Sequence, residues 1–168
     1  MENNTIILEH NQILQKVKRI SYEILEHNLK AKRMWLGGLN ERGFYLAKLI
    51  QKSLLEISDK KCKIFQIEFP GIVKEDYTAQ IKDMPDPKKG DTIILIDDVL
   101  NSGKTLANAM VPFIKMNPTK LDVAVLADRN HRRFPVYADY VGISLATTLQ
   151  EHVYFDAGNQ KKLLVYLK

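Results

Sequence analysis

Residues 92–96 and 121–126, TIILI and LDVAVL, are runs typical of strands covered on both faces, with about one helix of chain between them. Strands of that type need a layer of structure on each side of their sheet, and this requirement excludes most other architectures for the chain. The remaining segments agree with it. Ile13, Val17, Ile20 and Ile24, with Leu14, Ser21 and Leu25, follow a helical rhythm across residues 12–29. Residues 34–38 read as a short buried strand, 43–57 as a helix through Ala47, Ile50 and Leu54, and 63–69 as a strand through Phe65, Ile67 and Phe69. Residues 70–90 are irregular, with three prolines, two glycines and many charges, and suit a cover or a linker. The helix between the two apolar runs contains Pro112, which is expected to kink or shorten it. Residues 140–144 can add a strand, and 153–156 with 163–167 read as a C-terminal hairpin joined through 157–159. The expected fold is therefore a doubly wound α/β domain over residues 1–168, with a mostly parallel sheet and helices on both faces.

The chain has 168 residues, enough for a substantial core, and 27% of them are charged, as in ordinary globular proteins. No apolar run approaches the roughly 18 residues of a membrane span, and the first residues lack the pattern of a secretory signal. The single cysteine, Cys62, excludes an internal disulfide framework and a cysteine-rich zinc site, so a cytoplasmic location is expected. The net charge of +5 is spread in short doublets and does not choose between polyanionic partners.

In doubly wound sheets, ligands bind beyond the carboxyl ends of the strands. Two loops fall there: residues 39–43, and residues 97–105 after the run IILI. The second begins with adjacent carboxylates, Asp97 and Asp98, and ends in Asn101, Ser102, Gly103, Lys104 and Thr105 at the start of a helix. Carboxylates at a strand end can accept hydrogen bonds from a vicinal diol or hold a divalent cation through water. A helix N-terminus offers unpaired N–H donors to a phosphate. The segment is not a triphosphate loop, because G-x-x-x-x-G-K-[ST] requires glycine where Asp98 stands.

The stretch IILIDDVLNSGKT resembles the phosphoribosyl-pyrophosphate (PRPP) signature of the type I phosphoribosyltransferases: an apolar strand, two acidic residues and a small-residue phosphate loop. Residues 36–48, LGGLNERGFYLAK, and 121–142, LDVAVLADRNHRRFPVYADYVG, are similar to the branch of that family that joins pyrimidine-operon regulation to uracil phosphoribosyl transfer. The similarity covers nearly the whole chain and is weakest over residues 70–90, where the family has a flexible hood.

The resemblance implies that Asp97 and Asp98 hold the ribose hydroxyls of PRPP, and that Asn101, Ser102, Gly103, Lys104 and Thr105 cradle its 5-phosphate. The loop Leu39, Asn40, Glu41, Arg42 and Gly43 is then the pyrophosphate site, with a cis peptide expected near Leu39–Asn40. Asp97, Asp98 and Arg42 become the catalytic groups, and Val99 and Val141 lie beside the base. Mg²⁺ is expected to arrive with PRPP, without dedicated protein ligands. Uracil or UMP, a second copy of the chain in a homodimer or larger assembly, and RNA are the implied partners, RNA through a basic face of Lys18, Arg19, His131, Arg132 and Arg133. His131 could instead serve as a general base.

Two departures stand out. Asn40-Glu41 replaces the family's Lys-Thr, lowering affinity for a tetra-anion by about 1 kcal/mol per close charge pair. Asn101 stands where purine-salvage relatives carry an aspartate, which argues against hypoxanthine and guanine. Three readings stay open: a pyrimidine phosphoribosyltransferase, a nucleotide-sensing RNA-binding regulator, and a salvage enzyme for another base.

Overall fold

A computed structural model describes residues 4–70, 78–148, 150–158 and 162–168. In chain order the elements are β1 (Thr5–Glu9), α1 (His10–His27), β2 (Arg33–Leu39), α2 (Asn40–Ile57), β3 (Lys61–Glu68) and β4 (Gln80–Lys82). They continue with β5 (Asp91–Leu100), α3 (Lys104–Met116), β6 (Lys120–Asp128), β7 (Tyr140–Ser144), β8 (Val153–Asp156) and β9 (Leu164–Leu167). The main sheet has the order β4-β3-β2-β5-β6-β7, with every neighbouring pair parallel except β3–β4. A second sheet, β1-β9-β8, is antiparallel.

Alternation along β5 shows why both faces are covered. Ile94 and Ile96 join Met34, Leu36, Ala124 and Leu126 in one core with Ile20 of α1 and Leu46, Ala47 and Ile50 of α2. Ile93 and Leu95 join Trp35, Val123 and Val125 in the other, under Leu106, Ala109 and Phe113 of α3. Successive side chains of a strand point to opposite faces, so a strand between two helical layers is apolar at every position.

Four local features differ from the sequence expectations. Residues 5–9 form a strand, whereas the similarity of residues 4–28 to the family's N-terminal helix implies helix there, and Thr5 pairs with Leu167 at the far end of the chain. The expected hairpin is present, and β1 extends it to three strands. Helix α3 continues past Pro112 to Met116, so the proline removes one N–H donor from the ladder without ending the helix. Within the expected hood at 70–90, residues 80–82 form an edge strand on β3, and residues 71–77 lie outside the described residues. The acidic pair lies inside β5, which runs on to Leu100.

Candidate functional site

Register explains how the sheet opens a cleft. Strand β2 pairs with β5 only as far as Gly38↔Ile96, whereas β5 continues beside β6 to Leu100↔Asp128. Asp97 and Asp98 therefore stand past the last β2–β5 pair, and the first turn of α2 folds across the gap. That turn approaches closely because residue 43 is glycine: a Cβ there would lie 2.6 Å from the Ile96 carbonyl oxygen and 3.3 Å from Asp97 Cα. Leu39, Asn40, Glu41 and Arg42 then face Asp97 and Asp98 across a cavity of about 350 Å³.

Asn40 makes the turn from strand to helix with φ of 52°, a left-handed conformation that asparagine tolerates better than most residues. The described residues contain no cis peptide, so the expected cis Leu39–Asn40 bond is replaced by this trans turn. The Asn40 side chain points back to the end of β3, where Oδ1 accepts from the Phe69 N–H at 3.3 Å. No side chain caps the N-terminus of α2. Its first amides and Arg42 are the donors this loop can offer an anion, with Glu41 opposing them. Arg42 is 54% exposed and reaches Asp98 only weakly, Nη1 to Oδ2 at 3.9 Å.

The second loop is built on Gly103, whose φ of 83° reverses the chain into α3. Ser102 Oγ accepts from the Lys104 N–H at 3.3 Å. A small pocket of about 50 Å³ lies between Asp97 and Val99 on one side and Ser102, Gly103 and Thr105 on the other. Asn101 also lines it, while Lys104 does not. Asp97 is common to this pocket and the larger cavity, so a single ligand reaching from one loop to the other crosses it.

The two carboxylates interact strongly. The Asp98 N–H donates to Asp97 Oδ1 at 2.9 Å, and withdrawal from water, followed by the Asp98 charge, holds the Asp97 carboxyl well above the usual carboxylate range. A raised folded-state pKa means that folding favours the protonated acid. The associated stability is full below the unfolded value of about 4 and is lost as pH rises through the raised value. Asp97→Asn should therefore raise the melting temperature of the ligand-free protein at neutral pH and give little change near pH 4. A melting series across that interval checks it, and an equal difference at both ends would count against the coupling.

At the expected base end, Val99 and Val141 stand at different levels of the sheet. Val99 is level with Ala127 on β6 and Ile143 on β7, whereas Val141 is level with Val125 and Asp97. Val141 lies two strand spacings, about 9.6 Å, to the side of Asp97. It lines neither pocket, and its carbonyl accepts from Arg19 Nη2 at 2.6 Å. The sheet brings Asp97, Asp98, Val99 and the two loops together and leaves Val141 apart.

His131 is fully engaged: Nε2 lies 2.8 Å from the Thr147 carbonyl, which can only accept, and Nδ1 lies 3.4 Å from Arg129 Nη2, which can only donate. With its tautomer fixed in this way, no ring nitrogen remains to act as a base. Much of the expected basic face is likewise consumed internally. Arg19 holds the Val141 and Gly142 carbonyls, and Arg132 pairs with buried Asp128 at 2.7 Å, leaving Lys18 and Arg133 as the exposed cations of that set without such ties. Burial pushes the Cys62 thiol up to about 12, so it is no nucleophile at neutral pH.

Sequence reasoning missed two contributors. The end of β8 and Tyr166 of β9 face Glu41, Arg42 and Tyr45 across a cavity of about 510 Å³, so the second sheet borders the α2 turn. The other is Arg129, buried behind Asn101 within the stretch 121–142.

A doubly wound sheet with an acidic strand end between two anion-seeking loops is the arrangement of a phosphoribosyltransferase, and comparison with known proteins agrees. Residues 3–156 match the phosphoribosyl transferase domain, and the chain belongs to that family. Among individual relatives, it is 32% identical over 164 residues to the Bifunctional protein PyrR of Listeria welshimeri, covering 91% of this chain and 89% of that protein. It is 30% identical to the Bacillus cereus protein of the same name, with both chains covered completely. Solved structures share the fold at lower identity. A hypoxanthine phosphoribosyl transferase of Trypanosoma cruzi superposes with a TM-score of 0.75 at 16% identity over 96% of this chain and 90% of that one. A hypoxanthine-guanine phosphoribosyltransferase of Bacillus anthracis gives 0.68 at 19% identity over 88% and 86%.

Proposed function

We propose that the protein transfers the phosphoribosyl group of Mg-PRPP to a pyrimidine base, with uracil giving UMP and pyrophosphate. The observation that carries this reading is the position of Asp97 in both pockets. PRPP has a phosphate at one end, a pyrophosphate at the other and a ribose diol between them, in the order in which the cleft presents its turn, its carboxylates and its α2 loop.

On this reading Ser102, Gly103 and Thr105 receive the 5-phosphate with the first amides of α3, and Asp97 and Asp98 accept from the ribose hydroxyls. Leu39, Asn40 and Gly43 offer backbone to the pyrophosphate, and Arg42 supplies its positive charge. Lys104 adds charge beside the phosphate turn, and Val99 provides an apolar wall for the base. Asp97 and Asp98 also suit Mg²⁺, which takes one or two carboxylates together with substrate phosphates. When bound, the ion would neutralise charge on the leaving pyrophosphate. Early bond breaking at the anomeric carbon needs no protein nucleophile: the carboxylates keep negative potential beside the positive sugar, and Arg42 stabilises the leaving group. The same reading includes a homodimer in the cytoplasm.

Support for uracil comes from the resemblance of residues 36–48 and 121–142 to the branch that joins pyrimidine-operon regulation to uracil phosphoribosyl transfer, and from the neutral Asn101, which argues against the purine oxo-bases. Incubation of the protein with labelled uracil and Mg-PRPP should yield UMP, and none at micromolar protein would exclude the assignment. A base panel in the same assay addresses salvage of another base. The regulatory reading, RNA binding tuned by UMP, is favoured by Glu41, which weakens the pyrophosphate loop without affecting the phosphate turn. It predicts RNA affinity that falls with added salt and responds to UMP. Glu41→Lys should tighten Mg-PRPP by about tenfold or more through a change of two charges beside the pyrophosphate. Titration calorimetry reads this directly, and an unchanged Kd would place the pyrophosphate elsewhere.

A further inference from the structure

The turn formed by Asn101 and Ser102 is held from behind by one segment of chain. The Arg129 N–H donates to the Leu100 carbonyl at 3.1 Å, and the Arg133 and Phe134 N–H groups both donate to the Ser102 carbonyl at 2.9 and 3.1 Å. Inside this bracket lies the Arg129 side chain, 2% exposed. Its Nη1 donates to Asn101 Oδ1 at 3.1 Å and its Nε to Thr147 Oγ1 at 3.0 Å. Its Nη2 donates to the Thr148 carbonyl at 3.2 Å and to the Glu151 carbonyl.

All of these acceptors are uncharged. The nearby acid, Asp128, is committed to Arg132 at 2.7 Å, and among the described residues no carboxylate is in ion-pair contact with Arg129. Fully buried arginines are usually paired with acids. The Glu151 carboxylate feels the guanidinium only at longer range, so a charge whose hydrogen-bond acceptors are all neutral is offset in part, and in surroundings of low dielectric the remainder is poorly screened. That field originates one hydrogen bond behind the turn that lines the small pocket.

We infer that Arg129 is the positioning residue of the phosphate turn: it fixes Asn101 through the planar guanidinium and adds positive charge behind the anion site. Asn101 serves this arrangement because its amide oxygen accepts the hydrogen bond without cancelling the charge, as an aspartate would. The two roles make different demands. Lysine at 129 keeps the charge and loses the fork, glutamine keeps some hydrogen bonding and loses the charge, and alanine at 101 removes the link alone. The inference rests on the phosphate-binding reading of Ser102 to Thr105.

The test measures Kd for UMP and for Mg-PRPP, with melting temperatures alongside, on wild type, Arg129→Lys, Arg129→Gln, Asn101→Ala, the Arg129→Gln/Asn101→Ala double variant and Thr105→Ala. Arg129→Gln should weaken both ligands by about tenfold or more, and Arg129→Lys and Asn101→Ala by about threefold each. The double variant should bind as Arg129→Gln does, because both changes break one link. Kd values within twofold of wild type, whatever happens to the melting temperature, or losses that multiply independently, would overturn the inference. Should Arg129→Gln fail to fold, Arg129→Lys and Asn101→Ala decide the matter alone. Loss of binding in Thr105→Ala with no change in the Arg129 and Asn101 variants would refute the role of Arg129 and leave the phosphate turn standing. A wild type that binds neither ligand would refute both.

Discussion

Asp98→Asn is expected to lower phosphoribosyl transfer by about a hundredfold or more, the scale seen when one preorganised electrostatic group is removed from an active site. The fold should survive. The Asp98 side chain is 15% exposed, and its ion-pair contact among the described residues is the 3.9 Å approach of Arg42, too long and too exposed at the arginine to contribute much stability. Its negative charge also opposes ionisation of Asp97. Neutralising residue 98 should therefore let Asp97 ionise more readily while removing what is, on the proposed reading, the second acceptor for the ribose diol and for hydrated Mg²⁺. The variant combines an unchanged or slightly raised melting temperature with a collapse in turnover. Steady-state UMP formation and a thermal melt on one preparation read both quantities. Turnover within threefold of wild type would remove Asp98 from the reaction.

Gly38→Ala should act through the fold. A Cβ at residue 38 would lie 2.3 Å from Phe44 Cα, 2.6 Å from Phe44 N and 2.7 Å from the Gly43 carbonyl oxygen. All three are backbone atoms of the turn that carries Arg42, so no rotamer change relieves the contact. Either β2 and α2 separate or the first turn of α2 unwinds. Overpacking of this kind costs about 3 kcal/mol or more. At about 2–4 °C per kcal/mol for a domain of this size, the melting temperature should fall by at least 6 °C or so. Mg-PRPP affinity should fall with it, because the α2 loop faces Asp97 and Asp98 only while it stays close to the sheet. A variant that melted normally and bound normally would mean that the helix start does not depend on Gly38.

Much of the fold was legible because the two periodicities are clean. The apolar runs around Ile94 and Val123, and the helical spacing of Ile13, Val17, Ile20 and Ile24, each identify an element without help from the rest of the chain. The acidic pair was legible for a related reason, since charge at the end of a doubly covered strand has to meet solvent or a ligand. Residues 5–9 were harder to read. Five residues cannot separate a strand from the start of a helix, and the partner, β9, lies at the other end of the chain. Parallel register was also invisible, because the pattern within one strand does not say which residue of its neighbour stands level with it. Hence Ile143, and not Val141, accompanies Val99. Arg129 was hidden more deeply, since its role depends on Asn101, Thr147 and Glu151 meeting in space, while in the sequence it is one arginine among several.

The sharing of Asp97 between two pockets has a kinetic consequence. On the proposed reading PRPP behaves as a bivalent ligand: once one end is seated, the other searches a small volume and binds at high effective concentration. Cleavage of the bond at the anomeric carbon ends that linkage. UMP and pyrophosphate each keep one foothold and lose the avidity that held their parent, so each departs faster than PRPP would. A weakly charged pyrophosphate loop then holds the intact substrate through its tether and lets the severed half go.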